Sequence, residues 1–289
     1  MFEEMPARHL FGFLALATGI TIITLFEMSA SDQTIEVVFQ SVLYIFVPVL
    51  YFKFYFWKQG TSVKNVVFFR GLFRWLPVVT GLVALSFMFS AGMLWFQMYI
   101  LLPVAPWLVD FSNGPIPLPN STFHAIFTLS IIMLIGPIAE EFIFRGVLLK
   151  RVIAKTTMWS GVIISSLIFA MLHVDIIGAF LFGVLASLLF LRTGNLLVPI
   201  LFHAVNNSLA SYMMFVPGAR PDWLYILNSS EVYAEAAAYT IMLIGSALLL
   251  MLAIWRLSFG LEKKLRDEQL TKLMDSYSES EKNELRDSL

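Results

Sequence analysis

Residues Leu76–Leu102 read LPVVTGLVALSFMFSAGMLWFQMYILL, 27 positions without a single charge. A helix rising about 1.5 Å per residue needs about 20 apolar residues to cross a bilayer core, so this stretch can span one with some tilt. Working outward, seven more apolar segments of comparable character follow: Leu10–Phe26, Ile35–Phe52, Thr122–Leu149, Met158–His173, Ile176–Leu191, Leu196–Val216 and Tyr233–Trp255. The expected fold is all-α: a polytopic membrane helical bundle of about eight transmembrane helices.

Composition agrees. Of 289 residues, 58% are apolar and 13% charged, about half the charged share of a soluble domain. The formal net charge is -1, which gives no reason to expect a nucleic-acid partner. The absence of cysteine removes disulfides, thiolate metal sites and cysteine nucleophiles together. Charge is concentrated in residues 256–289, where 15 of 34 positions are charged. The chain is therefore read as a membrane bundle over 1–255 and a charged cytosolic tail over 256–289.

The basic residues set an orientation. With the N-terminus inside, Arg8, the 53–74 connection, the turn taken to hold Arg145 to Lys155, Arg192 and the tail place 18 of 19 Lys and Arg on one side, Arg220 excepted. Both termini are expected in the cytoplasm. Residues 103–120, with five prolines and no basic residue, form an outer loop, as do residues 217–232. The first segment follows Glu3 and Glu4 and lacks a good cleavage site, so it is read as a retained anchor.

Ionisable residues within such segments are costly and tend to be functional. Glu140-Glu141-Phe-Ile-Phe-Arg145 follows Gly136-Pro137, where the proline should kink or restart the helix. Glu141 and Arg145 are four apart on one face and suit an ion pair, while Glu140 points about 100° away and stays free to act as a base. The spacing through the turn near Lys155 puts His173, at the end of Phe169-Ala-Met-Leu-His173, at a depth similar to Glu140. In His203-Ala-Val-Asn206-Asn207, His203 and Asn207 share a face and can donate hydrogen bonds, either as interhelical glue or as an oxyanion hole. Asp175 is either a partner of His173 or a boundary residue; His9 and His124 sit at segment ends and look unremarkable. Neither HExxH nor GxGxxG occurs.

These three stretches, in this order, resemble the CPBP family, which comprises type II CAAX prenyl proteases and bacteriocin-processing or immunity proteins and is also called Abi. Its pattern is EExxxR, then FxxxH, then HxxxN, and the match runs over about residues 122–215. The resemblance implies an intramembrane endopeptidase in which Glu140 and His173 activate water and His203 and Asn207 stabilise the oxyanion. Glu141, Arg145 and Phe169 would support the site, and no cofactor is required. A zinc variant would use Glu140, His173 and His203 as a His₂Glu set. The implied partners are the lipid bilayer and a peptide or lipidated protein, with no nucleic acid, in a multi-pass setting that suits a prokaryotic plasma membrane. A non-catalytic scaffold or immunity protein and a proton-coupled carrier are the competing classes.

Overall fold

The computed structural model describes residues 1–107, 121–216 and 229–268, with single positions at 119, 218, 219, 221, 270, 271 and 274. Most of the proline-rich connection at 103–120, Arg220 and the end of the charged tail lie outside the described residues.

Among the described residues the chain is helical throughout. Eight principal helices follow the apolar segments: α1 (Ala7–Glu27), α2 (Asp32–Lys58), α3 (Phe73–Leu101), α4 (Thr122–Ile153), α5 (Met158–Ala170), α6 (Ile176–Thr193), α7 (Leu197–Phe215) and α8 (Ala236–Ser258). Six of them, counting α8 with its continuation to Glu268, are long and apolar enough to cross a membrane. The two others are α5, at 13 residues, and α7, whose 19 residues include His203, Asn206 and Asn207. The polytopic helical bundle is thus realised, with its two short or polar helices carrying site residues.

Local chemistry sets the helix ends. Ser31, Ser121, Thr157 and Asp175 each accept a hydrogen bond from a backbone N–H of the first turn of α2, α4, α5 and α6. Asp175 is therefore the cap of α6, its Oδ1 2.9 Å from Gly178 N, and it also borders the cavity that His173 lines. At the far end of α6, Gly194 takes a left-handed conformation (φ 66°) that turns the chain towards α7.

Two prolines far from a helix start, Pro48 and Pro137, do not break their helices. Pro48 follows a π-type turn at Val42–Phe46, and Pro137 follows one at Ile131–Ile135. A proline lacks the N–H that would bond four residues back, and its ring crowds that carbonyl; widening the preceding turn relieves both. At Pro137 the helix changes from the π-type turn to an α-helical stretch that begins at Gly136, so α4 remains helical through the proline. Gly136 is what the turn demands, because a Cβ there would lie 2.8 Å from the Ile131 carbonyl oxygen. A third π-type stretch, Phe142–Leu149, carries Arg145.

The bundle is layered by burial. In α6, 61% of the most apolar window is buried inside the protein, against 11% in α1. Close approach around α6 depends on small residues, as at Gly183, where a Cβ would meet Ser166 Cβ at 2.9 Å. Arg145, expected in the turn between α4 and α5, is instead 1% exposed within α4. It therefore drops out of the eighteen basic residues from which the sequence orientation was argued.

Candidate active site

Three helices bring the polar residues together. On α4, Glu141 is 0% and Arg145 1% exposed, and Arg145 Nη1 donates to Glu141 Oε1 at 2.9 Å. The guanidinium also reaches the Gly183 carbonyl oxygen on α6 (3.4 Å) and lies 4.4 Å from the centre of the Phe169 ring on α5. Four apart on one helix, this pair is the one the sequence spacing calls for.

His203, from α7, completes the group in a way the sequence does not announce. Its Nδ1 lies 2.8 Å from Glu141 Oε1, the same oxygen that takes the Arg145 bond. A carboxylate there fixes the proton on Nδ1 and aims Nε2 outward. That Nε2 is 3.8 Å from Glu140 Oε2, too long for a direct hydrogen bond but short enough for one water to touch both. Glu140 Oε2 is itself buried and has no hydrogen-bond partner among the described residues. Tyr44 of α2 lies close to its carboxylate.

His173 stands across a cavity. Its Nδ1 is 2.8 Å from the Phe169 carbonyl oxygen, one turn back, so its Nε2 is left available. Phe169 packs beside both histidines, with ring centres 4.3 Å from His173 and 5.8 Å from His203. A cavity of about 260 Å³ is lined by His173, His203, Asn206 and Asn207, and on the α3 side by Ser86 and Ser90. Among the described residues no hydrogen bond or ion pair joins His173 to Glu140; the group at Glu140 is His203.

Asn207 has two faces. It lines the cavity, and its Nδ2 donates to the Ile132 carbonyl oxygen at 3.0 Å. Ile132 belongs to the π-type turn of α4, so Asn207 ties α7 to the widened stretch that precedes Pro137. Its amide retains a second N–H.

The zinc alternative would draw on Glu140, His173 and His203. Among the described residues no group of three or more His, Cys, Asp or Glu is placed to hold a metal ion. Glu140 and His203 are neighbours, and His173 lines the same cavity as His203.

Sequence reasoning missed Tyr44, Ser86 and Ser90, all neutral residues in apolar helices. It also underrated His124, which is 8% exposed and holds Glu36 Oε2 through Nε2 at 3.0 Å. Thr128 and Gln40 donate to the other oxygen of Glu36 at 3.3 and 3.2 Å. This cluster fastens the start of α4 to α2.

Comparison with known proteins falls on the same stretch. The sequence profile described as type II CAAX prenyl endopeptidase Rce1-like matches residues 122–209. An Escherichia coli protein named "Uncharacterized 24.3 kDa protein" is 32% identical over 117 residues, 37% of this chain and 51% of that protein. A Bacillus subtilis (strain 168) protein named "Putative membrane peptidase YdiL" is 33% identical over 87 residues, 29% of this chain and 36% of that one. The chain thus spans about half or less of the length of these curated relatives. No solved structure matches it. The stretch holding Glu140, His173, His203 and Asn207 therefore matches the Rce1-like type II CAAX prenyl endopeptidase family, and the chain is similar to that family over residues 122–209.

Proposed function

We propose that this chain is a membrane-embedded endopeptidase that hydrolyses a peptide bond in a membrane-associated or lipidated protein or peptide, with Glu140 as the base. The observation that carries the reading is the buried, unpartnered Glu140 Oε2 held 3.8 Å from a histidine that another carboxylate orients. A positioned carboxylate of this kind is what general-base activation of water requires.

In the proposed reaction, Glu140 takes a proton from a water oriented by His173 Nε2, and the resulting hydroxide adds to the scissile carbonyl carbon. The oxyanion is met by the second N–H of Asn207 and by the imidazole of His203, which Glu141 holds through Nδ1. The proton on Glu140 then passes to the amide nitrogen, the C–N bond breaks, and a carboxylic acid and an amine leave. Arg145, stacked on Phe169, holds Glu141 in place. No resident metal is assigned to this chemistry. The setting proposed is a prokaryotic plasma membrane with both termini in the cytoplasm, and the partners are the bilayer and the substrate, with no nucleic acid.

The test is a comparison of membrane-derived peptides from cells producing wild-type protein or Glu140→Gln at equal levels. Cleavage products present only with wild type support the reading and name the substrate. Identical peptide sets, with both proteins folded, favour a non-catalytic scaffold.

A further inference from the structure

The connection between α2 and α3 joins two helices long enough to cross a membrane, so it lies at the bilayer edge. Five exposed cations, Lys53, Lys58, Lys64, Arg70 and Arg74, occupy or border it, and the sequence holds no Asp or Glu between Glu36 and Asp110. Three large aromatic side chains stand out among them: Trp57, Phe69 and Phe73 are 78%, 74% and 77% exposed. Unmatched positive charge beside outward aromatic rings is the pattern that suits the headgroup layer, where rings sit at the apolar boundary and cations meet phosphate.

The segment is held rigidly in this posture. Asn195, 2% exposed in the turn between α6 and α7, donates to the Phe68 carbonyl oxygen (2.6 Å) and accepts from Phe68 N (3.2 Å). Leu196 N adds a bond to the Val66 carbonyl oxygen at 2.7 Å. Leu72 is buried as a peg between the two exposed phenylalanines, and Gly71 turns the chain with φ 76° so that the Arg74 guanidinium folds over it. The anchoring turn leads directly into α7, the helix that carries His203.

We propose that residues 57–75 form a docking surface for anionic phospholipid headgroups, with Trp57, Phe69 and Phe73 entering the leaflet edge and Lys58, Lys64, Arg70 and Arg74 taking the phosphates. Charge complementarity argues for this occupant: the surface has four cations and no acid, and the molecule it meets first is the lipid of its own leaflet. The inference does not depend on the peptidase reading.

The experiment places the full chain in phosphatidylcholine bilayers containing trace spin-labelled phosphatidylglycerol or spin-labelled phosphatidylcholine, and measures the motionally restricted fraction of each. A basic residue near an anionic surface contributes about fivefold in affinity, so a preference for phosphatidylglycerol of about fivefold or more is expected at low salt. The combined variant Lys58→Gln, Lys64→Gln, Arg70→Gln, Arg74→Gln should lose most of it, whereas Lys263→Gln with Lys264→Gln should not. Should the fourfold variant fail to fold, salt decides: raising ionic strength from about 0.05 to about 0.5 M on wild type should shrink the preference. Equal restriction of both lipids by wild type, a preference indifferent to salt, or one that survives in the folded fourfold variant overturns the proposal. So does displacement of the labelled lipid by millimolar glycerol phosphate, which would make this a site for soluble phosphate.

Discussion

His203 and Arg145 share one oxygen atom: Nδ1 of the first and Nη1 of the second lie 2.8 and 2.9 Å from Glu141 Oε1. One buried carboxylate oxygen thus couples a residue of α7 to a residue of α4. The stability of the α4 ion pair and the orientation of the histidine that faces Glu140 depend on the same atom.

Glu141→Gln should therefore damage stability and activity together. Breaking a buried pair costs roughly 3–5 kcal/mol because the surviving charge stays unpaired. Lower melting and lower protein levels are expected. Adding Arg145→Met should recover much of the stability and none of the turnover, because an amide oxygen can still accept from His203 Nδ1 but brings no negative charge to it. Recovery of turnover in that double variant would show that Glu141 serves only Arg145.

Glu140→Gln is expected to behave in the opposite way. It keeps the shape and the contact with Tyr44, and it removes a negative charge next to Glu141. Melting should be unchanged or raised, while turnover falls by about 10²–10⁴, the usual contribution of a general base. Full turnover in the folded variant would remove Glu140 from the base role. Chelator treatment of wild type should leave turnover intact; loss restored by zinc would redirect the mechanism to a metal.

Asn207→Ala separates strut from catalyst. Loss of the bond to Ile132 should cost about 0.6 kcal/mol, typical of such contacts between membrane helices. If the second N–H binds the developing oxyanion, turnover should also fall by about 10²–10³ with nearly constant KM. Retained turnover with the small stability loss would leave Asn207 a strut alone.

Asp175→Ala should lower stability by about 1 kcal/mol through loss of the α6 cap. Asp175→Asn should retain both stability and turnover, since an asparagine caps equally well. A strong turnover defect in the Asn variant would mean that the carboxylate acts in the cavity it borders.

For topology, reporter fusions after Arg8 and after Lys264 should both report the cytoplasm, and one at Ala219 the opposite side. An exported reporter at Lys264 would contradict the orientation drawn from the basic residues.

The sequence was readable where burial makes residues expensive. Eight apolar runs announce eight helices, and Glu141 with Arg145 announce their own pairing through helical spacing. Glu140 is recognisable as the carboxylate left over. Its neighbour is not, because helix spacing fixes partners within a helix, whereas His203 arrives from another helix at a depth set by packing. Tyr44, Ser86 and Ser90 carry no charge, so they raise no signal in an apolar helix. The ordinary look of His124 has the same root: its partner Glu36 is 88 residues away and close to a helix start, where a carboxylate costs little.

The π-type turn at Ile131–Ile135 has a consequence for helical phase. Such a turn behaves as one residue inserted into an α-helix, so it rotates everything after it by about 100°. Deleting one residue between Ile131 and Ile135 would leave every side chain of the Glu140–Arg145 motif present and the helix intact. It would nonetheless swing Glu140 off His203 and carry the Glu141–Arg145 pair away from α7. The candidate site is therefore sensitive to the count of residues in an apolar stretch that contains none of its chemistry.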